Sequence, residues 1–162
     1  MERHCRRISP GGRVLDLACG SGRHARLLAR LGFDVSTVDR NFEAILELSA
    51  VPGITAMQAD LEGDEWPLAG RMFDGIIVTN YLWRPRLPDV LAMLAPGGVL
   101  IYETFMLGNE AYGKPSSPDF LLRPGELREV AQAAGLREIA FEEGYTASPK
   151  PAMRQAICAA RD

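Results

Sequence analysis

Short apolar runs and amphipathic stretches alternate along the chain. Arg13–Ala18 (RVLDLA) follows Pro10-Gly11-Gly12 and is nearly all apolar, which predicts a strand buried on both faces. Ser21–Leu31 places Ala25, Leu27, Leu28 and Leu31 at helical spacing and stops at Gly32, so a helix is predicted there. Asp34–Val38 reads as a second strand ending at Asp39. Phe42–Ala50 reads as a helix closed by Val51-Pro52-Gly53, and Ile54–Gln58 as a weaker strand. Asp60–Arg71 mixes acids with Gly63, Pro67 and Gly70, so it is predicted to be a loop. Phe73–Thr79 (FDGIIVT) is the clearest buried strand. Leu87–Leu94 is predicted helical, with Pro88 tolerated in its first turn. A strand Val99–Thr104 follows Pro96-Gly97-Gly98. Residues 106–124 are rich in Pro, Gly and Ser and read as a long irregular insertion. Glu126–Ala134 is a helix stopped by Gly135. Leu136–Glu143 and Arg154–Ala160 are strands joined by a turn.

This alternation predicts an α/β fold: a Rossmann-like, mostly parallel seven-stranded sheet with helices on both faces. The last two strands have no helix between them, so they form a C-terminal antiparallel hairpin. At 162 residues the chain suits a single domain, 1–162, with 106–124 as an insertion and candidate lid. A chain 47% hydrophobic and 24% charged is globular, not disordered. The net charge of −3 argues against a nucleic-acid partner. No apolar run is long enough to span a membrane, and no apolar segment follows the charged start as in a secretory signal. Cys5, Cys19 and Cys158 are an odd set without a CxxC pair, which fits a reducing cytoplasm and predicts neither disulfide nor metal site. Residues 1–30 carry seven arginines against Glu2 and Asp16. A solvated helix face explains them more simply than an entrance for an anionic substrate.

The candidate chemistry starts at Val14-Leu15-Asp16-Leu17-Ala18-Cys19-Gly20-Ser21-Gly22, a strand running through a glycine turn into a helix. Gly20 and Gly22 let backbone approach a ligand where a Cβ would clash. Asp39, at the end of the second strand, can accept hydrogen bonds from ribose hydroxyls. Capping the next helix is its alternative role, but Asn41 can cap alone. Gly20-Ser21-Gly22-Arg23-His24-Ala25 also matches the GxGxxA of nicotinamide enzymes. Asp16 separates the two: beside the turn it would repel a pyrophosphate but suit an ammonium. Asp60, after the third strand, could accept from an adenine amino group.

With these residues in place, VLDLACGSG, STVDRN, QADLE, FDGIIVTNYL and LAPGGVLIYETF together resemble the class I S-adenosylmethionine-dependent methyltransferases, over roughly residues 13–105. The resemblance implies S-adenosyl-L-methionine as cofactor. It puts Asp16, Ala18, Gly20 and Gly22 near the methionine and ribose, Asp39 on the ribose hydroxyls and Asp60 on the adenine. Arg40 and Leu61 would flank the ring, and Asn80 would reach the methionine end with its backbone carbonyl. The family's amino-methyltransferase motif is replaced by Asn80-Tyr81-Leu82-Trp83, which favours a small-molecule acceptor over a base or glutamine. Only twelve residues precede Arg13, where the family carries a helical lid. A minimal lid, a second copy in a homodimer, or the 106–124 insertion with Asn109 and Tyr112 facing the acceptor would replace it. Glu103 is the best candidate base or acceptor-binding carboxylate, with bracing as its alternative, and Tyr81 is a second candidate catalytic group. His24 is expected to be solvated, and Cys19 to be packing. The rival functions are an NAD(P)-dependent oxidoreductase and a non-catalytic S-adenosylmethionine-binding module.

Overall fold

The computed structural model describes residues 2–162. Its elements are α1 (Glu2–Cys5), β1 (Arg13–Leu17), α2 (Arg23–Arg30), β2 (Asp34–Asp39), α3 (Phe42–Ser49), β3 (Ile54–Gln58), β4 (Phe73–Thr79), α4 (Leu87–Ala92), β5 (Leu94–Phe105), α5 (Glu126–Ala133), β6 (Arg137–Thr146) and β7 (Ala152–Ala160). The seven strands form one sheet in the order β3-β2-β1-β4-β5-β7-β6. The first five run parallel, and β7 lies antiparallel between β5 and β6. The predicted architecture is therefore the observed one.

Alternation of side chains along each strand divides the core in two. Val14, Val35, Ile77 and Ile101 face α1–α3, where they pack with Ala25, Leu28 and Leu48. Leu15, Leu17, Ile76 and Leu100 face the other way, onto Leu91 of α4 and Leu127 of α5. The segment between β3 and β4 has no helix; Leu61 and Leu68 are buried from it in the second layer. Arg86 ties that loop down by donating to the carbonyls of Gly63 (2.6 Å) and Asp64 (2.7 Å). No helix among the described residues is long and apolar enough to cross a membrane.

Some boundaries differ from expectation, for reasons of pairing. The helix predicted to reach Leu94 ends at Ala92, because the Phe73 N–H donates to the Met93 carbonyl at 2.8 Å and draws Leu94 into β5. The final hairpin is longer than predicted because Tyr145 pairs with Met153 and Thr146 with Ala152.

The 106–124 insertion is stitched to the body of the protein. Leu107 N–H donates to the Leu122 carbonyl (2.9 Å), and Leu122 N–H to the Phe105 carbonyl (3.0 Å). Arg84 donates to the carbonyls of Asp119 and Leu121, each at 2.8 Å, and pairs with Glu126 at 2.6 Å. Asn109, expected to face an acceptor, is 2% exposed. Its amide donates to the Pro115 carbonyl (3.0 Å) and its oxygen accepts from Met153 N–H (3.1 Å). It is a clamp between the insertion and β7. Tyr112 is exposed and lies against Tyr145, ring centroids 5.4 Å apart. Asn109→Ala strands the Met153 N–H, so a loss of about 1–3 kcal/mol is expected. Chemical denaturation checks it, and an unchanged midpoint would refute the clamp.

Candidate functional site

Strand order reverses between β1 and β4: β2 and β3 continue to one side, β5 to the other. In open α/β sheets ligands bind at such a point, outside the carboxyl ends of the strands. Two backbone reversals mark it here. Ala18 after β1 has φ 53° and Asn80 after β4 has φ 56°, left-handed conformations that are costly for residues with a Cβ.

The two glycines of the turn do different work. Gly20 (φ 53°) has nothing within 4 Å of where a Cβ would sit, so its face is open. At Gly22 (φ 75°) a Cβ would lie 2.3 Å from Leu48 Cδ2. Gly22 is therefore required by the packing of α2 against Leu48 of α3, a reason for the glycine that its reading as a ligand-approach residue did not include.

Asp39 ends β2 with both oxygens engaged. Oδ2 accepts from Gly20 N–H at 2.8 Å and Oδ1 from Asn41 N–H at 2.9 Å. Asn41 itself caps α3 by accepting from Ala44 N–H at 3.2 Å. The cap is as expected, but Asp39 also fixes the position of the glycine turn. Each carboxylate oxygen keeps a lone pair for a further donor.

Asp16 lies beneath the turn, 1% exposed. Oδ2 accepts from Ala25 N–H in α2 at 3.0 Å, and the buried Oδ1 has no partner. Burial pushes its pKa from 3.8 to about 7. Between 3.8 and about 7 the folded chain therefore holds a proton the unfolded chain has released, so this group makes stability fall as pH rises through that window. Asp16→Asn should flatten that slope. Denaturation of both proteins at about pH 5 and about pH 8 tests it, and equal pH dependence in the two would refute it.

A pocket of about 160 Å³ is lined by Ala18, Asp39, Arg40, Asp60, Leu61 and Tyr81 among others. It gathers the ends of the first four strands. Asp60 Oδ1 accepts from Glu62 N–H at 2.9 Å. The Tyr81 carbonyl accepts from Tyr102 O–H at 2.8 Å, while the buried Tyr81 hydroxyl has no partner. Burial raises the Tyr81 pKa, so the phenol stays protonated and acts as a donor. Tyr81 thus lines this smaller pocket, while Glu103, with which it was paired as a candidate catalytic group, lines the larger cavity.

A larger cavity of about 680 Å³ is lined by Arg23, His24, Thr79, Asn80, Glu103 and Arg154, with further arginines from α1 and α2. The consecutive residues Asn80 and Tyr81 line one cavity each. Arg154 Nε donates to Glu103 at 2.6 Å, its Nη2 donates to Asn80 Oδ1, and its guanidinium lies 4.5 Å from the centre of the Phe105 ring. Glu103 therefore braces Arg154, the alternative its sequence context also allowed, and lines the same cavity. No residue of 106–124 is among the residues lining either cavity.

Arg154 was not singled out by the sequence. Arg154 stands opposite Phe105 across β5 and β7, a register that cannot be read from β7 alone. His24 is half-buried rather than solvated. Burial first, then Arg23, lowers its pKa, so it is neutral near pH 7. Burial also pushes the Cys19 thiol up to about 12, consistent with packing and not with a nucleophile.

Residues 14–98 match the family pattern described as "Methyltransferase domain". The chain is 39% identical over 110 residues to a protein-L-isoaspartate O-methyltransferase of Chlorobaculum tepidum, covering 62% of this chain and 48% of that protein. It is 27% identical over 147 residues to a tRNA U34 carboxymethyltransferase of Methylococcus capsulatus, covering 79% of this chain and 45% of the relative. It thus spans about half the length of the curated relatives it matches. Its fold is similar to an S-adenosylmethionine-dependent methyltransferase of Methanosarcina mazei, with TM-score 0.75 and 15% identity over 99% of this chain and 97% of that one.

Proposed function

From the premise that this chain belongs to the class I S-adenosylmethionine-dependent methyltransferases, we propose that it binds S-adenosylmethionine and methylates a small molecule in the larger cavity. The observation that carries this is the pair of cavities lined by the consecutive residues Asn80 and Tyr81, the smaller bearing Asp39 and Asp60 and the larger bearing Glu103 and Arg154. The residues fit the cofactor on structural grounds: Gly20 offers an open face, and Asp16 holds an orphaned buried oxygen beneath the turn.

In this reading Asp39 accepts the ribose hydroxyls while keeping Gly20 in place. The Tyr81 hydroxyl and the Asp60 carboxylate address the base in the smaller pocket, between Arg40 and Leu61. Asn80 borders the methionine end. S-adenosylmethionine supplies a methyl group already activated on a sulfonium. The chain's own contribution is to align the acceptor and exclude water.

A small acceptor is favoured because the cavity is walled by this chain's own side chains. The net charge of −3 gives no support to a nucleic-acid partner. The protein and tRNA named for the two relatives supply the second reading, a macromolecular acceptor. Calorimetry tests the cofactor: S-adenosylhomocysteine should bind in the micromolar range and NAD should not. Tight NAD binding with none for S-adenosylhomocysteine overturns the proposal in favour of an oxidoreductase. Formation of S-adenosylhomocysteine with a panel of small acceptors separates an enzyme from a binding module.

A further inference from the structure

We propose that the methyl acceptor carries a carboxylate, received by Arg154 together with Arg23 in the cavity of about 680 Å³. The proposal rests on the methyl-transfer reading above and names the substrate class of that site.

The charged side chains lining this cavity are Glu2, Arg3, Arg23, Arg30, Glu103 and Arg154. Arg3 is drawn off by Glu142, 2.9 Å away, and Glu103 is matched by Arg154. Among the described residues, Arg23 and Arg30 take part in no ion pair. His24 is neutral near pH 7, so it adds no further positive charge. Glu2 offsets one of these two arginines, so the wall is still positive, by a net charge of one, before any ligand arrives. Bound cofactor makes it more so, because a sulfonium and an ammonium outweigh one carboxylate. Wall and cofactor together therefore carry a positive excess, and it is left to the acceptor. In a partly enclosed cavity that imbalance is felt more strongly than in bulk water, and an anionic acceptor removes it.

Arg154 is built for this contact. Its side chain is only 19% exposed. Glu103, Asn80 and the face of Phe105 hold it on three sides, so its rotamer is set before binding and little ordering entropy remains to be lost. Glu103 and Asn80 leave its Nη1 N–H groups free for a ligand. A guanidinium edge matches a carboxylate in geometry as well as charge. It projects from β7 at the ends of β4 and β5, beside Asn80, where the acceptor must lie. Arg23 faces the same space from the start of α2.

The test uses the whole chain saturated with S-adenosylhomocysteine. Benzoate and succinate are titrated against their neutral amides, benzamide and succinamide, and against inorganic phosphate. At least one carboxylate should bind about tenfold or more tighter than its amide. Arg154→Met should weaken that binding by about tenfold or more while leaving S-adenosylhomocysteine affinity within about threefold. Arg23→Met, at an exposed helix position, gives the same readout should Arg154→Met fail to fold. Amides binding as well as carboxylates, or no carboxylate binding to the loaded protein, overturns the proposal. Binding of phosphate alone also overturns it, since the recognised group is then a phosphate. If S-adenosylhomocysteine itself does not bind, the methyl-transfer reading fails separately. The carboxylate and amide titrations on the free protein and on Arg154→Met then still decide the anion site.

Discussion

Asp39→Ala should weaken S-adenosylhomocysteine binding by about ten- to a hundredfold. A carboxylate accepting ribose hydroxyls makes charge-assisted hydrogen bonds worth roughly 1.5–3 kcal/mol, and each 1.4 kcal/mol or so is a decade in affinity. The structure adds a second route to the same loss. Asp39 Oδ2 accepts from Gly20 N–H at 2.8 Å, so removing the side chain frees the turn that faces the ligand. The two routes separate in Asp39→Asn. One amide oxygen can still accept from a ribose hydroxyl or from Gly20, but not from both backbone amides as the carboxylate does. Its affinity should fall between wild type and Asp39→Ala. Stability should change little, because Gly20 and Asn41 are exposed and water replaces the lost acceptor. Calorimetry and thermal denaturation of the three proteins check this. Unchanged affinity in Asp39→Ala would leave the residue as a brace of the turn alone.

Gly22→Ala should cost stability more than any other single methyl added to the turn. Two penalties combine. An alanine at φ 75° pays about 1–2 kcal/mol for the left-handed conformation. Its Cβ would also sit 2.3 Å from Leu48 Cδ2, and Leu48 is fully buried between α2 and α3. Overpacking of this kind costs about 1–3 kcal/mol. The sum, about 2–5 kcal/mol, corresponds to a fall in Tm of roughly 5–15 °C for a chain of this size. Gly20→Ala is the control. It bears a comparable backbone penalty at φ 53° but meets no atom within 4 Å, so it should be milder in stability and more harmful to cofactor binding. Equal destabilisation by the two substitutions would show that Leu48 yields without cost, and that Gly22 is set by backbone conformation only.

The alternation of short apolar runs with amphipathic helices determined the parallel sheet, the antiparallel finish and most element limits. β3 and β4 span the same residues in pattern and in structure. This follows from local physics: a strand buried on both faces is apolar throughout, a covering helix is apolar on one face, and glycine or proline ends each. The pocket proposed for the cofactor was legible for the same reason. Asp39, Asp60 and the Ala18–Gly22 turn all follow directly on strand ends, and in a parallel sheet those ends converge on one edge. Tertiary structure decided the rest. Gly20 and Gly22 look alike in sequence, and only the approach of Leu48 from α3 tells them apart. Glu103 looks like a free carboxylate until β7 brings Arg154 to it across fifty-one residues. Asn109 sits in a segment with the composition of a lid, yet its amide is spent on Pro115 and Met153. The positive wall of the larger cavity combines arginines from α1, α2 and β7. Each of these turns on which distant side chain fills a given hydrogen bond or volume, and chain folding sets that pairing where local periodicity carries no trace of it.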